Sequence, residues 1–215
     1  EETKYVAGLS KGKAASGDPS PITARGVFLG IKACAQRAFG TDNLQGRHVA
    51  VQGVGHVGGR VCELLAEAGA KLTVTDVNPE TLASVAGSTG AQVVMTDEIY
   101  DVDADIFSPN ALGAVVNPNT IGRIKAKVIA GGANNQLSTP DMGEKLSERG
   151  ILYAPDYVIN GGGIINVAAE ISGAYVAAYR ALDRMGLSKA LPHSVAAVSV
   201  GVVDGVAVLD LDYPE

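Results

Sequence analysis

The stretch HVAVQGVGHVGGRV, which runs from His48 to Val61, decides the fold prediction. Its opening HVAVQ is mostly apolar, which predicts a short buried strand. Glycines at Gly53, Gly55 and Gly58 follow at once, and apolar residues at helical spacing then continue to a predicted helix end at Gly69. A strand, a glycine-rich turn and a helix in this order are typical of the first unit of a parallel α/β sheet.

Short apolar runs alternate with helical patterns on both sides of this stretch. The runs KLTVT, AQVVM, DADIFSP, KVIAGG and ILYAP predict further strands. A helix is predicted with Ser20 as its cap and Gly40 as its end, and further helices are predicted after Asn78-Pro79, Asn117-Pro118 and Thr139-Pro140. This alternation indicates parallel pairing, because the crossovers place helices on both faces of the sheet. The predicted fold class is therefore α/β, a doubly wound, Rossmann-like, mostly parallel sheet over residues 1–185.

The end of the chain breaks this alternation. A helix is predicted from about Gly162 to Met185, and the stretch HSVAAVSVGVVDGVAVLDLDYPE follows it. Two β-rich runs flank Asp204-Gly205, a dipeptide that favours a tight antiparallel hairpin. Residues 186–215 are therefore predicted to form a linker and a β-hairpin appendage.

Composition limits the partners that the surface can attract. Lys and Arg number 17 against 23 Asp and Glu, and the net charge is −6, which argues against a general nucleic-acid or anionic-membrane surface. The sequence has no apolar run of membrane-spanning length and no signal-peptide core near its start. Cys34 and Cys62 share no metal-ligand spacing with the histidines. We therefore predict a cytoplasmic protein without a metal site, with buried, reduced thiols.

The spacing Gly53-x-Gly55-x-x-Gly58 is the dinucleotide-binding fingerprint. The helix that follows offers free N–H groups and partial positive charge to a pyrophosphate. Asp76 ends the next predicted strand, where a carboxylate accepts hydrogen bonds from ribose hydroxyls and repels a 2′-phosphate. NAD is therefore favoured over NADP. The alternative is a glycine turn without a nucleotide, in which Asp76 is a solvated loop acid.

Residues 3 to about 170 resemble the cofactor domain of the leucine, phenylalanine and valine dehydrogenase family. The similar stretches are TKYVAGLS, GDPSPITARGVF, VAVQGVGHVGG, LTVTDVN, SPNALGAVVN, VIAGGANNQL and ILYAPDYVINGGGIINVA. Members of the family oxidatively deaminate an L-amino acid to a 2-oxo acid and ammonia, with NAD as the hydride acceptor. The resemblance implies a branched-chain or aromatic substrate, NAD(H) as the cofactor, and the possibility of an oligomer.

The resemblance also implies roles for single residues. Thr23, Asn134 and Asn160 match positions near the nicotinamide, Asn78 flanks the adenosine, and Ala111 and Leu112 lie along the nucleotide. For each asparagine, a turn residue that satisfies its own backbone is the alternative. His56 lies within the glycine turn, where a solvent-facing spacer is favoured over a phosphate contact. The predicted cofactor-binding residues are Thr23, Gly53, Gly55, His56, Val57, Gly58, Asp76, Asn78, Ala111, Leu112, Asn134 and Asn160.

The sequence departs from the family pattern at three positions. Asn110 stands where many relatives have cysteine, and Gly132 and Gly161 stand where alanine is usual. The family's catalytic lysines lie in an N-terminal domain that nothing in these residues matches, so no catalytic residue is predicted and the chain is not expected to be active alone. Asp156 is at most an electrostatic contributor, and a loop or capping acid is its alternative.

From about Ile171 the sequence resembles an internal stretch of ribonuclease PH, a phosphate-dependent RNA 3′-end exonuclease. The arginine that binds phosphate in that family has no counterpart, because Ile164 and Ile165 follow the glycines. The acidic metal-binding stretch expected after DYPE is also missing. We therefore interpret the sequence as a chimera. The favoured function is that of a cofactor domain. The alternatives are a structural or engineered chimera without catalytic activity and, less favoured, a phosphorolytic RNA-processing enzyme.

Overall fold

The computed structural model describes residues 18–163, 198–203 and 206–211. The chain divides into two compact units, of which one is Asp18–Gly163 and the other comprises Glu1–Gly17 and Ile164–Glu215. The first unit contains a six-stranded sheet of order β3-β2-β1-β4-β5-β6 in which every pair is parallel. The strands are β1 (His48–Gln52), β2 (Lys71–Thr75), β3 (Gln92–Val93), β4 (Ile106–Pro109), β5 (Val128–Ile129) and β6 (Leu152–Tyr153). This order confirms the doubly wound prediction, with the change of direction between β1 and β4.

Helices and turns cover both faces of this sheet. The α-helices of the unit are α1 (Ser20–Phe39), α2 (His56–Glu67), α3 (Pro79–Thr89), α4 (Asp141–Glu148) and the single turn α5 (Asp156–Ile159), and a short 3-10 helix spans Glu98–Asp101. One core combines α1, α2 and α3 with alternate strand residues such as Val49, Val51 and Ile106. A second core combines α4 and the 3-10 helix with the intervening strand residues, such as Ala50 and Phe107. The pleat of the strands therefore divides one sheet between two cores.

Helix ends follow the predicted signals with two exceptions. Gly40 ends α1 with φ +78°, and the side chain of Asn78 caps α3 by accepting from Glu80 N–H and Thr81 N–H. The predicted cap Ser20 is instead the first residue of α1, and its N–H donates to Asp18 Oδ1 at 3.0 Å.

The helix predicted after Asn117-Pro118 is wrong. Residues 118–123 form successive turns, in which Thr120 Oγ1 donates to Val115 O at 2.6 Å and Asn117 Oδ1 accepts from the N–H of Asn119. Backbone bonds of helical spacing also form, from Ile121 N–H to Asn117 O at 2.9 Å and from Ile124 N–H to Thr120 O at 3.2 Å, but they do not continue into a helix.

The second unit contains the predicted hairpin. Strands β7 (Val198–Val203) and β8 (Val206–Leu211) pair antiparallel, and Val203 lies opposite Val206 across the predicted Asp204-Gly205 turn. The helix predicted from about 162 to 185 lies outside the described residues beyond Gly163, as does the linker at 186–194. The predicted boundary between residues 185 and 186 therefore stays a prediction.

Candidate cofactor site

The glycine turn, residues 53–58, joins β1 to α2 at the carboxyl edge of the sheet. Gly53 has φ +86°, a conformation that favours glycine, and its N–H donates to Thr75 O at 2.8 Å. A Cβ on Gly58 would lie far inside van der Waals contact with the carbonyl oxygen of Gly53. Gly58 therefore permits α2 to begin directly against the turn, as the sequence predicts.

The first turn of α2 faces open space. Its N-cap residue is Gly55, which offers no side-chain acceptor, and a Cβ at Gly55 would meet nothing within 4 Å. The first N–H groups of an α-helix have no intrahelical acceptor, so they are available to an anion placed above Gly55. His56 is exposed at this point and Val57 is half-buried.

Asp76 bridges the glycine turn and the start of α3. Its Oδ2 accepts from Val54 N–H at 2.7 Å, and its Oδ1 accepts from Asn78 N–H at 2.8 Å. Because each carboxylate oxygen can accept more than one hydrogen bond, both retain capacity for a donor from solvent or ligand. Asn78 uses its own side-chain oxygen to cap α3, so the structure gives it a helix-capping role.

The end of β4 lies against the glycine turn. The N–H of Asn110 donates to Gln52 O at 2.6 Å, and a Cβ on Gly53 would lie 2.6 Å from Ala111 Cβ. Ala111 and Leu112 are exposed, and Leu112 retains 81% of its accessible surface. Ala111 therefore lies against Gly53, and Leu112 is exposed to solvent. Their predicted place along the nucleotide stays a prediction.

A second loop, residues 131–136, follows β5 at the same edge of the sheet. The buried side chain of Gln136 donates to Gly131 O at 2.7 Å and to Ala133 O at 2.9 Å. Asn135 has φ +52°, and its N–H donates to Asp156 Oδ2 while its carbonyl accepts from Ala114 N–H at 2.7 Å. The 131–136 loop is thus held by its own glutamine and by two neighbouring segments.

The structure brings Asn134 and Asn160 together. Asn160 Nδ2 donates to Asn134 Oδ1 at 2.6 Å and to Gly132 O at 3.2 Å. Thr23 donates its hydroxyl to Pro19 O at 3.1 Å, and a Cβ on Gly163 would lie 2.5 Å from Thr23 Oγ1. Thr23 therefore lies beside the glycine run that follows Asn160, although no hydrogen bond joins Thr23 to either asparagine in the described part of the chain.

Three features of this region are not predicted from the sequence. Asn110 and Gly132 were seen as departures from the family pattern, but their hydrogen bond to each other was not predicted. Asp156, predicted to act at most electrostatically, accepts the N–H of Asn135. Gln136 was missed entirely. Its only sequence signal is a glutamine that follows two asparagines in a polar run, which is too common to be informative.

Charge at the site is set by few groups. Hydrogen bonds from Ser20 lower the pKa of the Asp18 carboxyl, with a smaller effect of the nearby His56 in the same direction. Burial raises the pKa of Tyr153, beside Asp156, to about 12.

Within the described residues, no group of three or more His, Cys, Asp or Glu could hold a metal ion. Across the same residues, no helix combines the length and apolar character needed to cross a membrane.

The strand order and the glycine turn together define a Rossmann-like α/β domain. The sequence profile of the family described as Glutamate/Leucine/Phenylalanine/Valine dehydrogenase matches residues 16–79 and 74–181. The chain belongs to this family, and the predicted resemblance to leucine, phenylalanine and valine dehydrogenases is confirmed.

Individual relatives agree with this membership. The chain is 56% identical over 173 residues to the leucine dehydrogenase of Thermoactinomyces intermedius, an alignment that covers 80% of this chain and 47% of the relative. The crystal structure of L-tryptophan dehydrogenase from Nostoc punctiforme superposes with a TM-score of 0.71 at 49% identity, covering 73% of this chain and 48% of that one. The chain therefore spans about half the length of the curated relatives it matches.

A more distant structure shows the fold alone. The hetero-hexameric glutamate dehydrogenase from Thermus thermophilus superposes with a TM-score of 0.58 at 24% identity, covering 76% of this chain and 40% of that chain. The Rossmann-like architecture is thus shared where the sequences have diverged widely.

Proposed function

We propose that residues 18–163 bind NAD(H) and form the cofactor half of an amino-acid dehydrogenase. The observation that carries this proposal is the joint geometry of the glycine turn and Asp76. The turn leaves open space above an uncapped helix start, and the carboxylate of Asp76 is held at its side by Val54 N–H and Asn78 N–H. A pyrophosphate above Gly55 would receive the N–H groups of α2, and the adenosine ribose would donate to Asp76.

The 131–136 loop supports the same proposal from the other side of the position between β1 and β4 where the strand order changes direction. Asn134 and Asn160 are linked through their side-chain amides, which can orient a nicotinamide carboxamide without changing the charge of the site. In this arrangement the cofactor would run from Asp76, over the glycine turn, past Ala111 and Leu112, to the two asparagines. When bound, NAD would supply the hydride acceptor, while these residues would bind and orient it.

The proposal assigns the chain no acid-base chemistry. General acid-base catalysis needs a group with a suitable pKa within reach of the substrate amine. The family's lysines for this step have no counterpart in the 215 residues. We therefore infer that another domain supplies the lysines and the contacts that select a branched-chain or aromatic amino acid. Assembly into an oligomer and a cytoplasmic location both stay predictions.

Thermal unfolding with and without cofactor tests the proposal directly. NAD at 100 times its dissociation constant should stabilise the fold by about 2.7 kcal/mol, which raises the Tm by a few degrees for a chain of this size. NADP should raise the Tm less, because Asp76 would repel its 2′-phosphate. Asp76→Ala should reduce the Tm shift caused by NAD and narrow the difference between the Tm shifts caused by NAD and NADP. Asp42, an exposed acid that precedes β1, provides the control, and Asp42→Ala should change neither quantity. A cooperative melt that millimolar NAD leaves unshifted would contradict the proposal.

We infer separately that the sequence beyond about residue 171 has a different origin from the cofactor domain. The predicted hairpin at 198–211 supports this, because it lies in the other compact unit and beyond the end of the family profile. Residues 171–181 still match the profile and do not support it. A chain that ends after Met185 should show the same NAD-dependent Tm shift as the full chain, and loss of that shift would contradict the inference. Incubation of the full chain with phosphate and tRNA should release no nucleoside diphosphate, because the phosphate-binding arginine of ribonuclease PH has no counterpart.

A further inference from the structure

The segment Pro109–Ala111 lies between the glycine turn and the 131–136 loop. On one side, Asn110 N–H donates to Gln52 O at 2.6 Å, and a Cβ on Gly58 would lie 3.0 Å from Asn110 Cβ. On the other side, Ala133 N–H donates to Pro109 O at 3.0 Å. The position of this segment therefore sets the separation between the two parts of the candidate cofactor site.

Both the oxygen and the nitrogen of the Asn110 carboxamide form hydrogen bonds to residues on either side of this segment. Its Oδ1 accepts from Gly132 N–H at 2.8 Å, and its Nδ2 donates to both the carbonyl and the hydroxyl oxygen of Ser108 at 3.0 Å. Because Gly132 N–H needs an acceptor and Ser108 O needs a donor, the amide has one satisfactory orientation. The side chain of Asn110 thus ties the start of the 131–136 loop to the end of β4.

Space, and not backbone conformation, restricts the side chain at position 132. Its φ is not among the positive values of the described glycines, yet an added Cβ would lie 3.0 Å from Asn110 Oδ1 and 3.2 Å from Val27 Cγ2 and Val57 Cγ1. The carbonyl of the same residue accepts from Asn160 Nδ2 at 3.2 Å. One residue is therefore held at its N–H by Asn110, at its carbonyl by Asn160, and at its Cα by packing.

We propose that Asn110 and Gly132 are a coupled pair of positioning residues that places the 131–136 loop at a defined distance from the glycine turn. Both positions depart from the family pattern, and the structure shows them in contact, with a larger polar side chain on one and no side chain on the other. The pair acts through Asn134 and Asn160, which the proposed function places beside the nicotinamide. The inference rests on that proposed function.

A double-mutant cycle in the full chain tests the coupling, with the dissociation constants of NAD and ADP-ribose as readouts. ADP-ribose contains the adenosine and pyrophosphate but lacks the nicotinamide, so a change confined to the 131–136 loop affects NAD alone. Asn110→Cys and Gly132→Ala should each weaken NAD binding about 10-fold and ADP-ribose binding less than about 3-fold. The double variant should bind NAD about 5-fold more tightly than the product of the single losses predicts, because removing the carboxamide makes room for the added methyl group.

Two variants serve as matched controls. Asn43→Cys removes an asparagine whose Oδ1 also accepts a backbone N–H, that of Gln45 at 3.0 Å, but in the loop that precedes β1. Gly87→Ala adds a methyl group within α3, where a Cβ would meet nothing within 4 Å. Neither control should change the ratio of the NAD and ADP-ribose dissociation constants.

Each remaining outcome decides the inference. Equal losses for NAD and ADP-ribose, or strictly multiplicative losses in the double variant, would overturn the pairing while leaving the proposed function intact. Failure of the unaltered chain to bind NAD would overturn the proposed function and the inference with it. If Gly132→Ala does not fold, a cooperative melt of the double variant supports the coupling, and failure of both to fold overturns it.

Discussion

The glycine turn and the 131–136 loop lie at the same edge of one sheet but are held in place by different means. The turn is formed by consecutive residues and begins a helix whose inner face is buried, with Val61, Cys62 and Leu65 each 0% exposed. The loop is positioned by side-chain hydrogen bonds from residues 110, 156 and 160, which lie 20 or more positions away in sequence. Close backbone packing holds the turn, with one side-chain hydrogen bond from Val54 N–H to Asp76. A larger polar network holds the loop, together with the close packing of Gly131 against Pro109 O.

The largest effect is expected from a substitution that disrupts the packing of the glycine turn. In Gly58→Ala the added Cβ would overlap Gly53 O, so α2 or the turn must move, and unfolding should become easier by about 3 kcal/mol. NAD binding should be lost in the same variant. Gly87→Ala is the matched control, because its Cβ enters open space within α3 and the better helix propensity should stabilise by about 0.5–1 kcal/mol. A Gly58→Ala chain that melts like the unaltered protein would show that packing does not define the turn.

A smaller effect is expected when the polar network of the loop is weakened. Asn160→Ala removes the donor to Asn134 Oδ1 and Gly132 O, and NAD affinity should fall about 10-fold while ADP-ribose affinity stays almost unchanged. Asn160→Asp should be worse than alanine, since a carboxylate would face two acceptor oxygens. Isothermal titration with both ligands measures the difference. Asn119→Ala, an exposed turn residue, is the control, and an equal loss of both ligands on mutating Asn160 would contradict the division between the two regions.

The same contrast explains what sequence reasoning can reach. The glycines of the turn are predictable because their requirements are local: Gly53 needs φ +86°, and Gly58 needs space beside Gly53. Asp76 lies 22 positions beyond Val54 and is predictable only because the fingerprint includes an acid at the end of the next strand. The parallel, doubly wound sheet is also predictable, because strands that alternate with crossover helices pair in parallel. The order of its strands is given by the structure.

The 131–136 loop is less predictable because its partners are distant in sequence. Nothing local indicates that Gln136 turns inward to its own loop carbonyls, or that Asn135 gives its N–H to Asp156. The failed helix after Asn117-Pro118 has a different, local origin. A capping residue and a proline predict a helix start, but the hydroxyl of Thr120 bonds backward to Val115 O and stabilises turns instead.

The smallest expected effect tests whether burial anchors the glycine turn through α2. Burial raises the pKa of the Cys62 thiol from 9.0 to about 12, because the thiolate cannot be solvated there. The unfolded chain therefore loses this proton before the folded chain does. The contribution of the neutral thiol to stability is fully present below pH 9 and is lost as the pH rises from 9 toward 12. By pH 9.5 the free energy of unfolding should have fallen by about 0.8 kcal/mol.

Urea unfolding at pH 8 and pH 9.5 measures this difference. Cys62→Ala should be less stable at pH 8, because it leaves a small cavity, but should lose less stability on going to pH 9.5. Cys34→Ala is the control: that thiol is only partly buried, so most of the pH dependence should remain. If Cys62→Ala loses as much stability between the two pH values as the unaltered chain, the thiol is not held neutral by burial. The inner face of α2 would then be open to water, and the glycine turn would need another anchor.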